Sequence, residues 1–168
     1  MTLSMYQASV PPVLRALTAL QGVSEKGKAH AAAKGTDEAN YLALRLSPEM
    51  LPLAAQVRIA CDIARRGVSR LAGVEPAAQD LPAASFDDLK AHCQSAIDLL
   101  GGFTPAQIDG SEMKEILLPT PMGELKFSGQ DFLFAFILAN VHFHSSIFYA
   151  ILRGAGVELG KMDYLGAP

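Results

Sequence analysis

Hydrophobic positions recur every three or four residues along most of the chain, the pattern of helices with one buried face. The first such stretch covers residues 3–34, and Gly35 predicts its end. Pro11 and Pro12 lie within this stretch. Because proline lacks a backbone donor and clashes with the preceding turn, they predict an interruption, with a bend at residues 9–12 and a new helical start after it.

A second long helix is predicted to open at Ser47-Pro48-Glu49, which offers an N-cap, a first-turn proline and an acidic residue in that order. Its apolar stripe continues to Leu71, and Gly73 predicts its end. A short capped turn at residues 36–42 is predicted to precede it. Arg58, Asp62 and Arg66 follow at four-residue spacing, which predicts exposed ion pairs rather than an anion site.

The third helix is predicted to start at a cap on Ser85 and to stop at Gly101-Gly102. The hydrophobic period then changes from the helical one. Residues 113–118 and 124–127 flank a turn-rich segment at 119–123, which predicts a small β-hairpin before the last helix.

The last helix is predicted to open at Ser128 and to continue to Arg153, and it is apolar on nearly every side. Four long helices with a minor hairpin predict an all-α fold, a four-helix bundle in one domain over residues 1–168. A single bundle would leave half of the last helix exposed. We therefore expect a homodimer to which this helix contributes.

The composition narrows the class of protein. The chain has 168 residues, 50% of them hydrophobic, with 14 Lys and Arg against 17 Asp and Glu and a net charge of −3. So apolar a chain folds rather than staying disordered. A mildly acidic chain without a basic run is not expected to bind nucleic acid. Cys61 and Cys93 stand far apart in sequence and suggest small buried hydrophobes, not a zinc site or a disulfide framework.

Residues 132–152 carry no Asp, Glu, Lys or Arg and are long enough to cross a bilayer. Asn140, His142 and His144 lie near the middle of this segment, where lipid would penalise polar side chains. We therefore expect a buried helix and no membrane partner. The N-terminus lacks the basic start and apolar stretch of a secretory signal, which predicts a cytoplasmic location.

The candidate chemistry centres on His144. His142 and His144 are about 200° apart on a helix and cannot hold one ion together. Asn140 and His144 are four residues apart and share a face. Gln56 lies beside the apolar stripe of the second helix and could point toward them.

Two interpretations of this trio stay open. His144 could supply a ring nitrogen to a divalent metal, with oxygen ligands from Asn140 and Gln56. Alternatively, the three side chains hydrogen-bond each other, because an unpartnered buried polar group costs about 1–3 kcal/mol. His30, in an Ala- and Lys-rich segment, is expected to be solvated. His92 and Cys93 are neighbours that diverge on a helix and do not predict a base and nucleophile pair.

At residues 47–57, 140–144 and 150–166 the chain resembles a bacterial family of unknown function in the DinB/YfiT-like superfamily of proposed metalloenzymes. The resemblance runs essentially end to end and implies a four-helix bundle that is often dimeric. In better-studied superfamily members, three histidines bind a divalent metal, one from the second helix and two, four residues apart, from the last.

The resemblance implies a metal site at Gln56, Asn140 and His144, of which only His144 is a histidine here. It implies a divalent metal such as Zn, Ni or Mn, with no cofactor fixed by the sequence. Two alternative functions therefore stay open. One is a small-molecule or metal-binding enzyme with an incomplete triad. The other is a non-catalytic dimeric binding or stress-related protein that has lost the metal site.

Overall fold

A computed structural model describes residues 3–75, 79–121 and 123–166 of the chain. Its elements follow in the order α1 Met5–Lys34, α2 Glu38–Leu42, α3 Leu53–Ala72, α4 Phe86–Gly101, α5 Pro105–Ile108, β1 Glu115–Thr120, β2 Gly123–Ser128, α6 Gly129–Asp131, a π-helical segment Phe132–Leu138, α7 Ala139–Gly154 and α8 Lys161–Leu165.

The long helices α1, α3, α4 and α7 form the predicted bundle. Helix α1 packs mainly on α4, while α3 packs on both α4 and α7. The short helix α8 lies against α1. The two strands pair as an antiparallel hairpin, from Glu115 opposite Ser128 to Thr120 opposite Gly123. The structure therefore confirms a helical bundle with a small hairpin before the last helix. Its core contains the fully buried rings of Phe86, Phe132 and Phe148.

The predicted interruption of the first helix is wrong, because α1 continues through Pro11 and Pro12. Proline in a helix interior removes one hydrogen bond and costs about 3 kcal/mol or more, which explains the expectation. Two features offset this cost here. Pro11 lies on the exposed side of the helix, and Val10 and Val13 are buried on the other side. Packing of the buried face therefore holds the helix together across the prolines.

The predicted start of the second long helix is also wrong by several residues, because α3 begins at Leu53 and not near Ser47. Ser47 instead forms a turn in which its carbonyl accepts from the Met50 amide at 2.9 Å. The Arg45 guanidinium donates to the Met50 carbonyl and fastens this turn. A helix that started at Ser47 would contain Pro52 in its interior, where proline is disfavoured. Pro52 is instead the N-cap residue of α3.

Local capping signals gave accurate boundaries elsewhere. Asp37 accepts from the Ala39 amide at the start of α2, and Ser85 accepts from the Asp88 amide at the start of α4. Ser128 likewise accepts from the Asp131 amide where the last helical run begins. The Asp62–Arg66 ion pair forms at 3.6 Å on the exposed side of α3.

The last helical run contains a π-helical segment that the sequence pattern did not predict. It covers Phe132–Leu138 and packs against α3. The contact is close at Gly67, where a Cβ atom on this residue would lie only 2.6 Å from Ile137 Cγ1. Gly67 therefore admits the Ile137 side chain, and a larger residue there would push the π segment away from α3.

By length and composition alone, the run Gly129–Gly154 could cross a membrane. The core helix of a soluble protein passes the same test, so this run gives only weak support for a membrane span. Phe132, Leu133 and Phe148 of this run are fully buried inside the bundle.

Candidate functional site around His144

His144 and Gln56 meet across the contact between α7 and α3. His144 Nδ1 lies 2.8 Å from Gln56 Oε1. Gln56 is only 2% exposed, in the first turn of α3, whereas His144 is partly buried. The structure therefore joins an imidazole and an amide from two helices in a hydrogen bond at the edge of the core.

The second hydrogen bond of Gln56 fixes the orientation of its amide. Gln56 Nε2 donates to the Leu51 carbonyl at 2.9 Å. A carbonyl can only accept, so the NH₂ group must face Leu51 and the oxygen must face His144. Because an amide oxygen also only accepts, the proton of this contact belongs to His144 Nδ1. In the neutral ring, Nε2 then carries the free lone pair.

The local backbone explains why the Leu51 carbonyl is available. Leu51 precedes the N-cap residue Pro52, and the Leu53 amide pairs with the distant Leu44 carbonyl at 2.8 Å. The late start of α3 therefore places an unused carbonyl beside the first helical turn. Gln56 satisfies this carbonyl and holds His144 with the same amide group.

Burial lowers the pKa of His144 from its usual value of 6.5. Desolvation disfavours the charged ring, so the neutral form predominates at neutral pH. The ring of Phe143 contributes an edge contact, with ring centroids 5.2 Å apart. The site thus holds a neutral imidazole of defined tautomer, whose unprotonated nitrogen can accept a hydrogen bond or a proton.

Asn140, the third residue of the predicted trio, makes a different contact. Its Nδ2 atom donates to the Phe136 carbonyl at 2.7 Å, four residues earlier on its own helix. Phe136 lies in the π segment, and its carbonyl also accepts from the Ala139 amide. The Asn140 amide therefore supports the junction between the π segment and α7. Within the described part of the chain, its hydrogen bond goes to this junction and not to His144 or Gln56.

The donor atoms around His144 offer little to a metal ion. In residues 3–75, 79–121 and 123–166, no group of three or more His, Cys, Asp and Glu side chains could hold one. Gln56 already uses Oε1 for His144 and Nε2 for Leu51. What is left is one imidazole nitrogen and the amide oxygen of Asn140, and divalent transition metals favour imidazole, thiolate and carboxylate ligands.

The other histidines have separate surroundings. His142 is exposed, and its Nδ1 lies 3.3 Å from the Tyr164 hydroxyl on α8. His30 was expected to be solvated, but it is only partly exposed and meets the Tyr41 ring edge-on at 5.8 Å. His92 is buried, and its Nε2 lies 3.1 Å from the Pro82 carbonyl. Burial lowers the pKa of His92 as well.

The two cysteines are buried, in agreement with their interpretation as small hydrophobes. Although they are far apart in sequence, they are close in space. Cys61 on α3 and Cys93 on α4 place their Sγ atoms 3.7 Å from each other. The hydrogen bond to Cys93, together with burial, raises the pKa of the Cys61 thiol well above its usual value. Each residue lies on the apolar face of its helix, which is the one sequence signal for this contact.

The family model described as "Domain of unknown function (DUF1993)" matches residues 5–165. No curated protein matches the chain. Among solved structures, the chain is similar to the crystal structure of a DinB family member protein from Shewanella denitrificans. The two share 32% sequence identity over 97% of this chain and 92% of the other, with a TM-score of 0.86.

Proposed function

Because the chain belongs to the DUF1993 family of domains of unknown function and has a DinB-like fold, we propose that it binds a small molecule at the His144–Gln56 pair. In this proposal His144 Nε2 accepts a hydrogen bond, or a proton, from the bound molecule. The protein would then be an enzyme or a binding protein whose working group is a neutral imidazole.

The single observation that carries the proposal is the 2.8 Å contact between His144 Nδ1 and Gln56 Oε1. A histidine used as a base needs a neutral ring with a defined tautomer, and the hydrogen bond on one nitrogen sets the state of the other. The buried amide of Gln56 provides this control. A general base within hydrogen-bond reach of its substrate typically contributes about 10²- to 10⁴-fold in rate.

A divalent metal is a second candidate ligand, supported by the family resemblance rather than by the donor set. In that version His144 Nε2 would be a protein ligand and Asn140 Oδ1 a weak one. Gln56 would act behind His144, as the hydrogen-bond partner that orients a ligating imidazole. We therefore derive the chemistry of the site from the imidazole alone.

Elemental analysis of protein purified without a histidine tag tests the metal version. The imidazole proposal expects no stoichiometric Zn, Ni or Mn and no rise in melting temperature when these ions are added. One metal ion per chain, lost in a His144→Ala variant, would contradict it and establish the metal-dependent version.

A non-catalytic dimeric protein is the other candidate. Phe134 and Phe143 of the last helical run are 49% and 52% exposed in the single chain, which supports a homodimer using that helix. Light scattering at micromolar concentration tests this point, because a monomer would contradict it. The cytoplasmic location and the single-domain organisation stay predictions.

Diethyl pyrocarbonate tests whether His144 offers an unprotonated nitrogen, since this reagent modifies the neutral form of histidine and not the protonated form. The lowered pKa of His144 predicts that, as the pH falls below about 6.5, modification of this ring declines later than that of free histidine. Peptide mapping by mass spectrometry gives the extent at each histidine, and the exposed His142 serves as the internal control. His144 left unmodified while His142 reacts fully would contradict the proposed function.

A further inference from the structure

A cavity lies on the side of α7 that faces away from Gln56. It occupies about 200 Å³ between α1 and α7, and α8 covers it. Typical sites for drug-sized ligands measure about 300–1,000 Å³, so this cavity suits a smaller molecule. Most of its wall is apolar, from residues such as Ala16, Leu20 and Val23 of α1.

Ser145 of α7 is among the residues that line this cavity. The residue is 3% exposed, and its buried Oγ atom, like those of Ser69 and Ser111, has no hydrogen-bond partner among the described residues. The buried serines of α1 behave differently, since Ser9 donates to the Met5 carbonyl and Ser24 to the Leu20 carbonyl, each at 2.7 Å. An unpartnered buried hydroxyl is costly, and of these three serines Ser145 alone is among the residues that line this cavity, so a ligand oxygen or nitrogen is the natural missing partner.

The charges around the cavity favour an anion. Among the described residues that line it, Arg15 of α1 supplies the one permanently charged side chain, and none is Asp or Glu. Asp163 of α8 already pairs with Lys26 at 2.7 Å. An anionic group in the cavity would therefore meet a guanidinium and a hydroxyl donor without facing a carboxylate of the lining.

The cover of the cavity is held in place by polar contacts. Tyr164 of α8 accepts from the Ser146 hydroxyl at 3.0 Å and lies 3.3 Å from His142 Nδ1. Its ring also meets the Tyr149 ring edge-on, with centroids 5.9 Å apart. These contacts, together with the Lys26–Asp163 pair, hold α8 over the cavity, so the cavity exists before any ligand binds.

We propose that this cavity binds a small carboxylate with a short apolar chain. The Ser145 side chain turns to another rotamer so that its buried hydroxyl donates to the carboxylate oxygen. Arg15 compensates the negative charge, and the chain contacts the apolar wall of α1. This site shares no residue with the His144–Gln56 pair. It is therefore independent of the function proposed for that pair.

Hexanoate and 1-hexanol are matched probes for this proposal, because they differ mainly in the charged head group. Titrations of the full chain are followed by the backbone amide shifts of residues lining the cavity. Saturable shifts with hexanoate, and at least tenfold weaker binding of hexanol, are expected. Ser145→Ala should weaken hexanoate binding roughly tenfold, and Arg15→Gln about threefold because that side chain is exposed. His144→Gln is the control variant, and it should leave hexanoate binding unchanged.

Ala16→Leu provides a second route, since it places extra bulk in the cavity wall and should abolish hexanoate binding. Equal affinities for hexanoate and hexanol would overturn the proposal, as would shifts that Ala16→Leu leaves intact. Cavity shifts that follow protein concentration rather than hexanoate would also overturn it, because a second copy of the chain would then be the occupant. Ser145→Ala removes an unpartnered hydroxyl, so we expect this variant to fold normally.

Discussion

His142 and His144 are two residues apart on α7, yet their side chains contact different helices. The helix turns about 100° per residue, so the two side chains diverge by about 200°. His144 meets the buried amide of Gln56 on α3, at 2.8 Å. His142 is exposed and meets the Tyr164 hydroxyl on α8, at 3.3 Å.

The difference shows that the partner decides what a histidine can do. The amide of Gln56 can only accept at its oxygen, and Leu51 prevents it from turning over. The hydroxyl of Tyr164 can both donate and accept, so it leaves either tautomer of His142 possible. Of these two histidines, His144 alone is therefore held in one tautomer, with Nε2 free for a ligand.

Replacement of Gln56 by leucine should have the largest effect on stability, because it removes the contact that distinguishes His144 from His142. Gln56→Leu fills nearly the same space but leaves the Leu51 carbonyl and the His144 Nδ1 proton without partners. We expect the free energy of unfolding to fall by about 1–3 kcal/mol, measured by urea denaturation.

Gln21 offers a matched control, because its amide also links two helices but lies nearer the surface. It donates to the Lys90 carbonyl at 3.3 Å and to Gln94 at 3.1 Å. Gln21→Leu should change the free energy of unfolding by a few tenths of a kcal/mol. Equal losses of unfolding free energy in Gln56→Leu and Gln21→Leu would show that the His144–Gln56 contact contributes no more to stability than an amide contact near the surface.

Acid should destabilise the fold through its buried imidazoles, with a smaller effect than Gln56→Leu. Burial lowers the pKa of His144 and of His92 below the usual 6.5, so the unfolded chain binds protons more readily. Stability is therefore complete above about pH 6.5 and falls as the pH drops toward the folded pKa values.

Urea denaturation at a series of pH values between about 5 and 8 measures this loss. His144→Gln should remove part of the pH dependence, and the remainder should come from His92 and the carboxylates. An unchanged profile in His144→Gln would mean that burial does not act on this ring.

The smallest effect is expected on the His142 side. Tyr164→Phe removes the hydroxyl that contacts His142 and Ser146, but these two residues are exposed and can bond to water instead. We expect a loss of about 0.5 kcal/mol or less, measured as a small drop in melting temperature. A loss as large as that of Gln56→Leu would remove the distinction between the two histidines.

The sequence predicted those parts of the fold that depend on nearby residues. The caps at Asp37 and Ser85 were correct because a side-chain oxygen and a backbone amide a few residues later settle them. The hairpin was correct because its turn residues lie between two short strands. The interruption at Pro11 and Pro12 was wrong because packing of distant residues outweighed a local penalty.

The π segment could not be predicted from hydrophobic spacing. Its residues are apolar on all sides, so the pattern carries no period from which an inserted residue could be detected. The close contact between Gly67 and Ile137 joins α3 to the last helical run, and no local signal reports a contact over that distance.

The candidate site was predictable only in outline. Helical spacing indicated that His144, unlike His142, faces the second helix, and the stripe of α3 placed Gln56 near it. The spacing could not give the partner of Asn140, because the Phe136 carbonyl belongs to the unexpected π segment. Nor could it give the Leu51 carbonyl, because that depends on the late start of α3.

The tautomer of His144 tests the central claim most directly, and nitrogen-15 NMR of the labelled protein at neutral pH measures it. We predict a protonated, pyrrole-type Nδ1 and an unprotonated, pyridine-type Nε2 for His144, and we expect Gln56→Leu to mix the two tautomers. A ring protonated at Nε2 alone, or charged at neutral pH, would contradict the account, because no free nitrogen would then face a ligand.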